Sequence, residues 1–344
     1  MRSMSPCIIG KSALAPFADT RKSEHATGNG EQMMNDTAPT AYAGGPARSM
    51  EHYGAMMGQA MAGERPNHRP YQQQDGDTFI TCWAKSGTTM MQQMFHQMRT
   101  GADGGDMDFD DISRVVPWDD TAFMVDFDMT APQVAHPRGF KSHREYERLP
   151  AGARYVVALR DPKETFVSFY RFLNGWHFER DVLGMEEFMP MWMSGGPGGC
   201  DYATHLLSWY ARLRKTDSMV VTYKWAVKNR LLALRQMAAL CDVPLTPAIE
   251  ALVMERTTRE YMSAHEDRFD DAMVAKVMED RCGVAAASDS TKVQKTGSSG
   301  SALPPVIADQ IDALWAERIA PVTGHADFAA LAAEVDAVSG EKAN

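Results

Sequence analysis

The chain has 344 residues, 44% of them apolar, and sets 35 Lys and Arg against 45 Asp and Glu for a net charge of −10. That length suits one large α/β core with a tail, and the acidic balance argues against a nucleic-acid partner, which needs a basic face to neutralise phosphates. Five scattered cysteines (Cys7, Cys82, Cys200, Cys241, Cys282) without a CxxC pair read as a reducing, cytoplasmic setting with no structural metal, and no apolar run reaches the roughly 18–20 residues of a membrane span, so a soluble protein is expected.

Residues 1–76 are rich in Ala, Gly, Ser, Met and His and show no sustained periodicity, so they are expected to form a flexible, disordered extension. Order begins near Asp77. Thr78-Phe79-Ile80-Thr81-Cys82-Trp83 reads as a buried strand, Ala84-Lys85-Ser86-Gly87-Thr88-Thr89 as a tight loop, and Met90, Met91, Met94, Phe95 and Met98 fall at helical spacing. A second strand is predicted at Arg154–Leu159, ending at Arg160-Asp161-Pro162 before an apolar helix from Glu164. Leu206, Leu207, Tyr210 and Leu213 mark another helix, Met219–Tyr223 a third strand, Leu231–Leu240 its following helix, and 306–318 a last one. Strands alternating with helices imply a central parallel sheet covered on both faces. The folded domain is placed at 77–335, with 336–344 as a C-terminal tail.

A loop between a strand and a helix N-terminus presents free backbone N–H groups and the positive end of the helix dipole, which suit an anion. Lys85 adds a full charge and Ser86, Thr88 and Thr89 add hydroxyls around Gly87. The nucleotide-triphosphatase pattern GxxxxGK[ST] is absent, because Lys85 precedes Gly87. Trp83-Ala84-Lys85-Ser86-Gly87-Thr88-Thr89 resembles the 5′-phosphosulfate loop of the cytosolic sulfotransferase family. The resemblance continues over roughly residues 77–320 in the family's order, and implies a P-loop-like nucleotide-binding core of the sulfotransferase type.

By that resemblance Arg160 and Ser168 grip the 3′-phosphate of 3′-phosphoadenosine 5′-phosphosulfate (PAPS), the expected sulfuryl donor. Lys141 and His143 project from one extended segment, where His143 is the general base and Lys141 assists. Tyr223, Thr257, Thr258 and Met262 match the family's adenosine contacts, and Lys295, Thr296 and Gly297 its loop over the 3′-phosphate. Several positions depart from the pattern: Met90 stands where many relatives carry Trp, Arg259 where an aromatic is usual, Lys224-Trp225 where an acidic pair often follows the tyrosine, and Leu303 at a later Lys. Lys85 is expected to neutralise charge on the bridging oxygen, with Lys85, Lys141 and His143 as the catalytic set and no metal required.

The implied reaction is in-line transfer to a hydroxyl or amine of a small-molecule acceptor, with no nucleic acid and no membrane as partner. Trp118, Phe123, Phe140, Tyr146, Phe172, Trp176 and Phe178 suit a ring-containing acceptor. The acidic run Asp106, Asp108, Asp110, Asp111, Asp119, Asp120, Asp126 and Asp128 reads as a solvated face or as a field for a cationic one. The alternatives are a P-loop nucleotide-dependent kinase and a non-catalytic nucleotide-binding relative.

Overall fold

The computed structural model describes residues 42–196, 198–285 and 303–342. Its centre is a four-stranded parallel sheet in the order β2-β1-β3-β4, with β1 at Thr78–Thr81, β2 at Gly139–Ser142, β3 at Arg154–Leu159 and β4 at Ser218–Thr222. β1 is flanked by β2 (Ile80 opposite Lys141) and by β3 (Ile80 opposite Val156). Side chains alternate across each strand. Phe79, Tyr155, Val157 and Val220 pack into one hydrophobic layer, and Ile80, Val156, Ala158 and Val221 into the other. Both faces are covered by helices, as the near-continuous apolar strands require.

The strand at 154–159 lies where it is predicted, and the other two differ at their ends. β1 closes at Thr81, so Cys82 to Lys85 already belong to the loop, and Tyr223 opens the Tyr223–Lys228 helix rather than ending a strand. The helix expected from Glu164 spans Pro162–Asn174, because the Asp161 carboxylate accepts from the N–H groups of Lys163 and Glu164 while Pro162 supplies a preset φ. The last predicted helix begins at Pro305, passes through a π-turn at Trp315–Ile319 and ends at Thr323.

The flexible extension expected up to residue 76 requires correction over its described part. Met50–Met61 is a helix capped by Ser49, with Met56 and Ala60 fully buried, and it packs on the Ala272–Cys282 helix. Gln59 donates to the Arg281 carbonyl. Further on, the Asp126 carboxylate accepts from the backbone of Asn67 and His68, and the Asp77 carboxylate accepts from Arg138 Nε and Nη2 and from the Tyr71 hydroxyl. The segment has too little periodicity of its own to announce a helix; its order comes from tertiary partners. The expected C-terminal tail is corrected likewise, since the Phe328–Lys342 helix carries buried Val338 and Ser339 beyond residue 335. Replacing Met56 by Ala leaves a cavity under the N-terminal helix, and urea unfolding is expected to show a loss of about 2–5 kcal/mol.

Among the described residues no helix is long and apolar enough to cross a membrane.

Candidate active site

The site lies beyond the C-terminal ends of β1, β2 and β3, where a parallel sheet leaves room for a ligand. From β1 the chain turns through Lys85 at φ 65° and Gly87 at φ 99°, and enters the Thr88–Thr100 helix. The left-handed backbone at Gly87 is natural to glycine. A Cβ there would also fall 2.3 Å from Cδ2 of Tyr223. Gly87→Ala should therefore push Tyr223 out and strain the loop; we expect about 1–3 kcal/mol lost in thermal unfolding and weaker nucleotide binding.

The loop contains polar atoms with unmet bonding capacity. Ser86 Oγ is buried with no hydrogen-bond partner, and Thr88 Oγ1 meets nothing stronger than the Cys82 thiol. Buried hydroxyls of this kind are rare unless a ligand or water completes them. Together with the helix N-terminus and Lys85, they fit an anion.

Arg160, at the end of β3, lies against the loop that follows β1. Its Nη1 donates to the Lys85 carbonyl at 2.8 Å, its Nε meets Glu164 at 3.1 Å, and its guanidinium lies 5.1 Å from the Tyr223 ring centre. Glu164, Ser168 and Phe172 follow one another at i, i+4 and i+8 on one face of the Pro162–Asn174 helix. Glu164 holds Arg160 at one end of that face, and the Phe172 ring lies 4.0 Å from Lys85 Nζ at the other. Ser168 stands between them. Burial pushes the Glu164 carboxyl upward, but hydrogen bonds from Lys224 and Arg160 outweigh it and hold the group below the usual carboxylate range. Glu164 was not singled out as a site residue from the sequence, although the Arg160–Glu164 spacing is a visible signal, and Lys224, noted only as a departure from the family pattern, pairs with it at 2.6 Å.

On the opposite side, His143 follows β2 directly. Its Nδ1 bonds the Cys82 carbonyl at the start of the phosphate loop. A carbonyl only accepts, so the proton sits on Nδ1 and Nε2 is the basic nitrogen. The His143 backbone N–H donates to Asp120 Oδ2 at 2.7 Å, and the same oxygen accepts from Trp118 Nε1 at 2.9 Å. The Trp118 and His143 rings stand nearly perpendicular, centroids 5.2 Å apart. Lys141 is deeply buried, with Nζ 3.2 Å from the Trp118 ring centre and 3.5 Å from Asp271. Arg144 Nε lies 3.1 Å from Asp119 and 2.9 Å from Asp120. Burial, and then the charge of Asp120, drive the Asp119 carboxyl well above the usual range despite Arg144. His205 is held down to about 3 by burial and by the neighbouring His143.

Much of the acidic run is structural rather than a solvated face. Asp111 caps the Ile112–Val115 helix, Asp106 pairs with His96 at 2.8 Å, and Asp119 with Asp120 anchors Arg144. Of the aromatic residues expected around an acceptor, Trp118 touches Lys141 and His143, and Phe172 touches Lys85. Phe140, Trp176 and Phe178 are core, Tyr146 packs on Tyr155 and Trp209, and Phe123 is 42% exposed.

The distal matches are placed as follows. Thr257 Oγ1 donates to the Val253 carbonyl at 2.7 Å, Thr258 caps the Arg259–Ala264 helix through the Tyr261 N–H, and Met262 is buried in the layer that contains Met90. Lys295, Thr296 and Gly297 lie outside the described residues.

Residues 75–313 match the family model described as the sulfotransferase domain. Among curated proteins, the chain is 24% identical over 196 residues to an amine sulfotransferase of Oryctolagus cuniculus, covering 53% of this chain and 62% of that protein. It is 26% identical over 119 residues to sulfotransferase 6B1 of Danio rerio, covering 33% and 40%. These matches thus span less than two thirds of either relative's length. Among solved structures, a retinol dehydratase in complex with androsterone and the inactive cofactor PAP superposes with a TM-score of 0.59 at 13% identity, over 77% of this chain and 85% of that one. A mouse sulfotransferase complexed with PAP gives 0.50 at 16% identity, over 77% and 89%. The likeness to these two is one of fold.

Proposed function

Since the chain belongs to the sulfotransferase-domain family, we propose that it transfers a sulfuryl group from PAPS to a small-molecule acceptor. The observation that supports this reading is Arg160 bonded to the Lys85 carbonyl, which sets the end of β3 beside the loop after β1. PAPS supplies an activated sulfuryl group on a phosphate leaving group. The chain's own residues would act around it. Ser86, Gly87, Thr88 and Thr89 hold the 5′-phosphate at the helix N-terminus, with Lys85 beside the bridging oxygen where negative charge grows.

Arg160 and Ser168 take the 3′-phosphate, the guanidinium offering a two-pronged match to phosphate. Tyr223, Thr257, Thr258 and Met262 would border the adenosine, and Lys295, Thr296 and Gly297 would close over the 3′-phosphate. His143 Nε2 accepts the proton of the attacking group, and Lys141 assists across the site. The acceptor oxygen or nitrogen bonds to sulfur as the bond from sulfur to the bridging oxygen breaks. The acceptor's body is ring-containing or cationic, as Trp118 and the carboxylates near it favour. A cytoplasmic setting fits the buried free thiols Cys82, Cys200, Cys241 and Cys282, and the domain assignment is residues 42–342, with the segment before it left open.

The test is incubation with sulfur-35-labelled PAPS and a panel of phenols, alcohols and amines. Labelled product supports the assignment. A protein that is stabilised by ATP with magnesium, shows no thermal shift with PAP and makes no labelled product would be a kinase-like binder instead.

A further inference from the structure

Resting on the sulfuryl-transfer reading, we infer that Lys224 is a positioning residue for the donor. Acting through Glu164, it holds Arg160 ready for the 3′-phosphate without leaving a bare carboxylate beside that phosphate.

Arg160, Glu164 and Lys224 form a chain of alternating charge at the C-terminal end of the sheet. Glu164 Oε2 lies 3.1 Å from Arg160 Nε, and its other oxygen, Oε1, lies 2.6 Å from Lys224 Nζ. Arg160 is held a second time, by Nη1 on the Lys85 carbonyl. A guanidinium carries five N–H donors in one plane, and among the described residues Nη2 meets no acceptor. Two fixed nitrogens therefore orient the third.

The carboxylate in this chain has a cost for an anion site. While it braces Arg160, it competes for the charge that a phosphate would use and repels the phosphate itself. Its side chain is only 20% exposed, so water screens it in part. Nor does Glu164 escape by taking a proton, since hydrogen bonds from Lys224 and Arg160 outweigh burial and hold it below the usual carboxylate range. Lys224 supplies the missing charge. Two cations against one anion leave the group positive, whereas without Lys224 the charges of Arg160 and Glu164 cancel.

The backbone around Lys224 is fixed in place. Lys224 follows Tyr223, whose ring lies against Gly87 of the phosphate loop and 5.1 Å from the Arg160 guanidinium. On the other side Trp225 is buried, and its N–H donates to Thr222 Oγ1 at 3.1 Å. Thr222 in turn donates to Asp336 Oδ1 at 2.6 Å. The neighbours of Lys224 are thus anchored, while its own side chain is 72% exposed. An exposed ion pair adds little to folding stability, so the effect of this one is expected in nucleotide binding.

Calorimetric titration of the full chain with PAP and with adenosine 5′-phosphosulfate, which lacks the 3′-phosphate, tests this. Lys224→Gln is expected to weaken PAP by about 3- to 10-fold and to leave adenosine 5′-phosphosulfate within about twofold, with the melting temperature unchanged. Lys224→Arg keeps the charge and should bind PAP as the native protein does. In a Glu164→Gln background the same Lys224→Gln change should alter PAP binding by less than about twofold, because the residue through which it acts is gone. Native PAP affinity in Lys224→Gln, equal weakening of both nucleotides, or no rescue by Arg overturns the inference. So does an undiminished effect in the Glu164→Gln background, which would make Lys224 a direct phosphate contact. Failure of the native protein to bind PAP overturns the transfer reading itself. Labelled product from a native protein whose Lys224→Gln variant binds PAP unchanged leaves that reading standing while this inference falls.

Discussion

His143→Ala is expected to lower turnover by about 10²–10⁴-fold, the range for loss of a positioned general base, while the affinity for PAP stays near that of the native protein. The separation follows from what the side chain touches. Its Nδ1 bonds the Cys82 carbonyl and its ring packs nearly perpendicular to Trp118, whereas the hydrogen bond that ties the Lys85 loop to the end of β3 runs from Arg160 to the Lys85 carbonyl. His143→Asn sharpens the test, because the Asn amide nitrogen can keep the bond to Cys82 without offering a base at Nε2. Both variants should lose turnover alike. If His143→Asn retains native turnover, the ring's role is to brace the loop, and the base is elsewhere.

The second large effect is expected from Arg160→Ala. A charged hydrogen bond to phosphate is worth about 1.5–3 kcal/mol, which corresponds to roughly 10- to 150-fold in the dissociation constant of PAP. Adenosine 5′-phosphosulfate lacks the 3′-phosphate and should be weakened far less, since for it only the bond from Arg160 to the Lys85 carbonyl is lost. Arg160→Lys should not restore binding: a point charge cannot meet the phosphate, Glu164 and the Lys85 carbonyl together. Calorimetric titration of both nucleotides checks this, and equal weakening of the two would remove Arg160 from the 3′-phosphate.

The strand-loop-helix unit around Lys85, the strand at 154–159 and the Arg160 helix were legible because each shows itself over a short window. A continuous apolar strand, a loop of small residues with Lys85 and a run of methionines at helical spacing point to one strand-loop-helix unit. Elements held by distant partners were not legible. The Met50–Met61 helix has a weak apolar stripe and gains its burial from the Ala272–Cys282 helix far along the chain. The acidic residues around Trp118 look alike in sequence. Only folding separates Asp120, which ties Trp118 to His143, from Asp110, which pairs with Arg114 at the surface. Lys141 was read as an assisting cation beside His143, and its pairing with Trp118 and Asp271 was not legible. No local pattern could announce a pairing across 130 positions.

Two cradles serving one nucleotide is the claim on which the rest depends, and a crystal structure with PAP bound tests it most directly. The account predicts the 5′-phosphate against Ser86 to Thr89, the 3′-phosphate within hydrogen-bond distance of Arg160 and Ser168, and His143 Nε2 facing the position the sulfuryl group would occupy. A nucleotide whose 3′-phosphate lies away from Arg160, or whose 5′-phosphate leaves the Ser86 hydroxyl unmet, would contradict it.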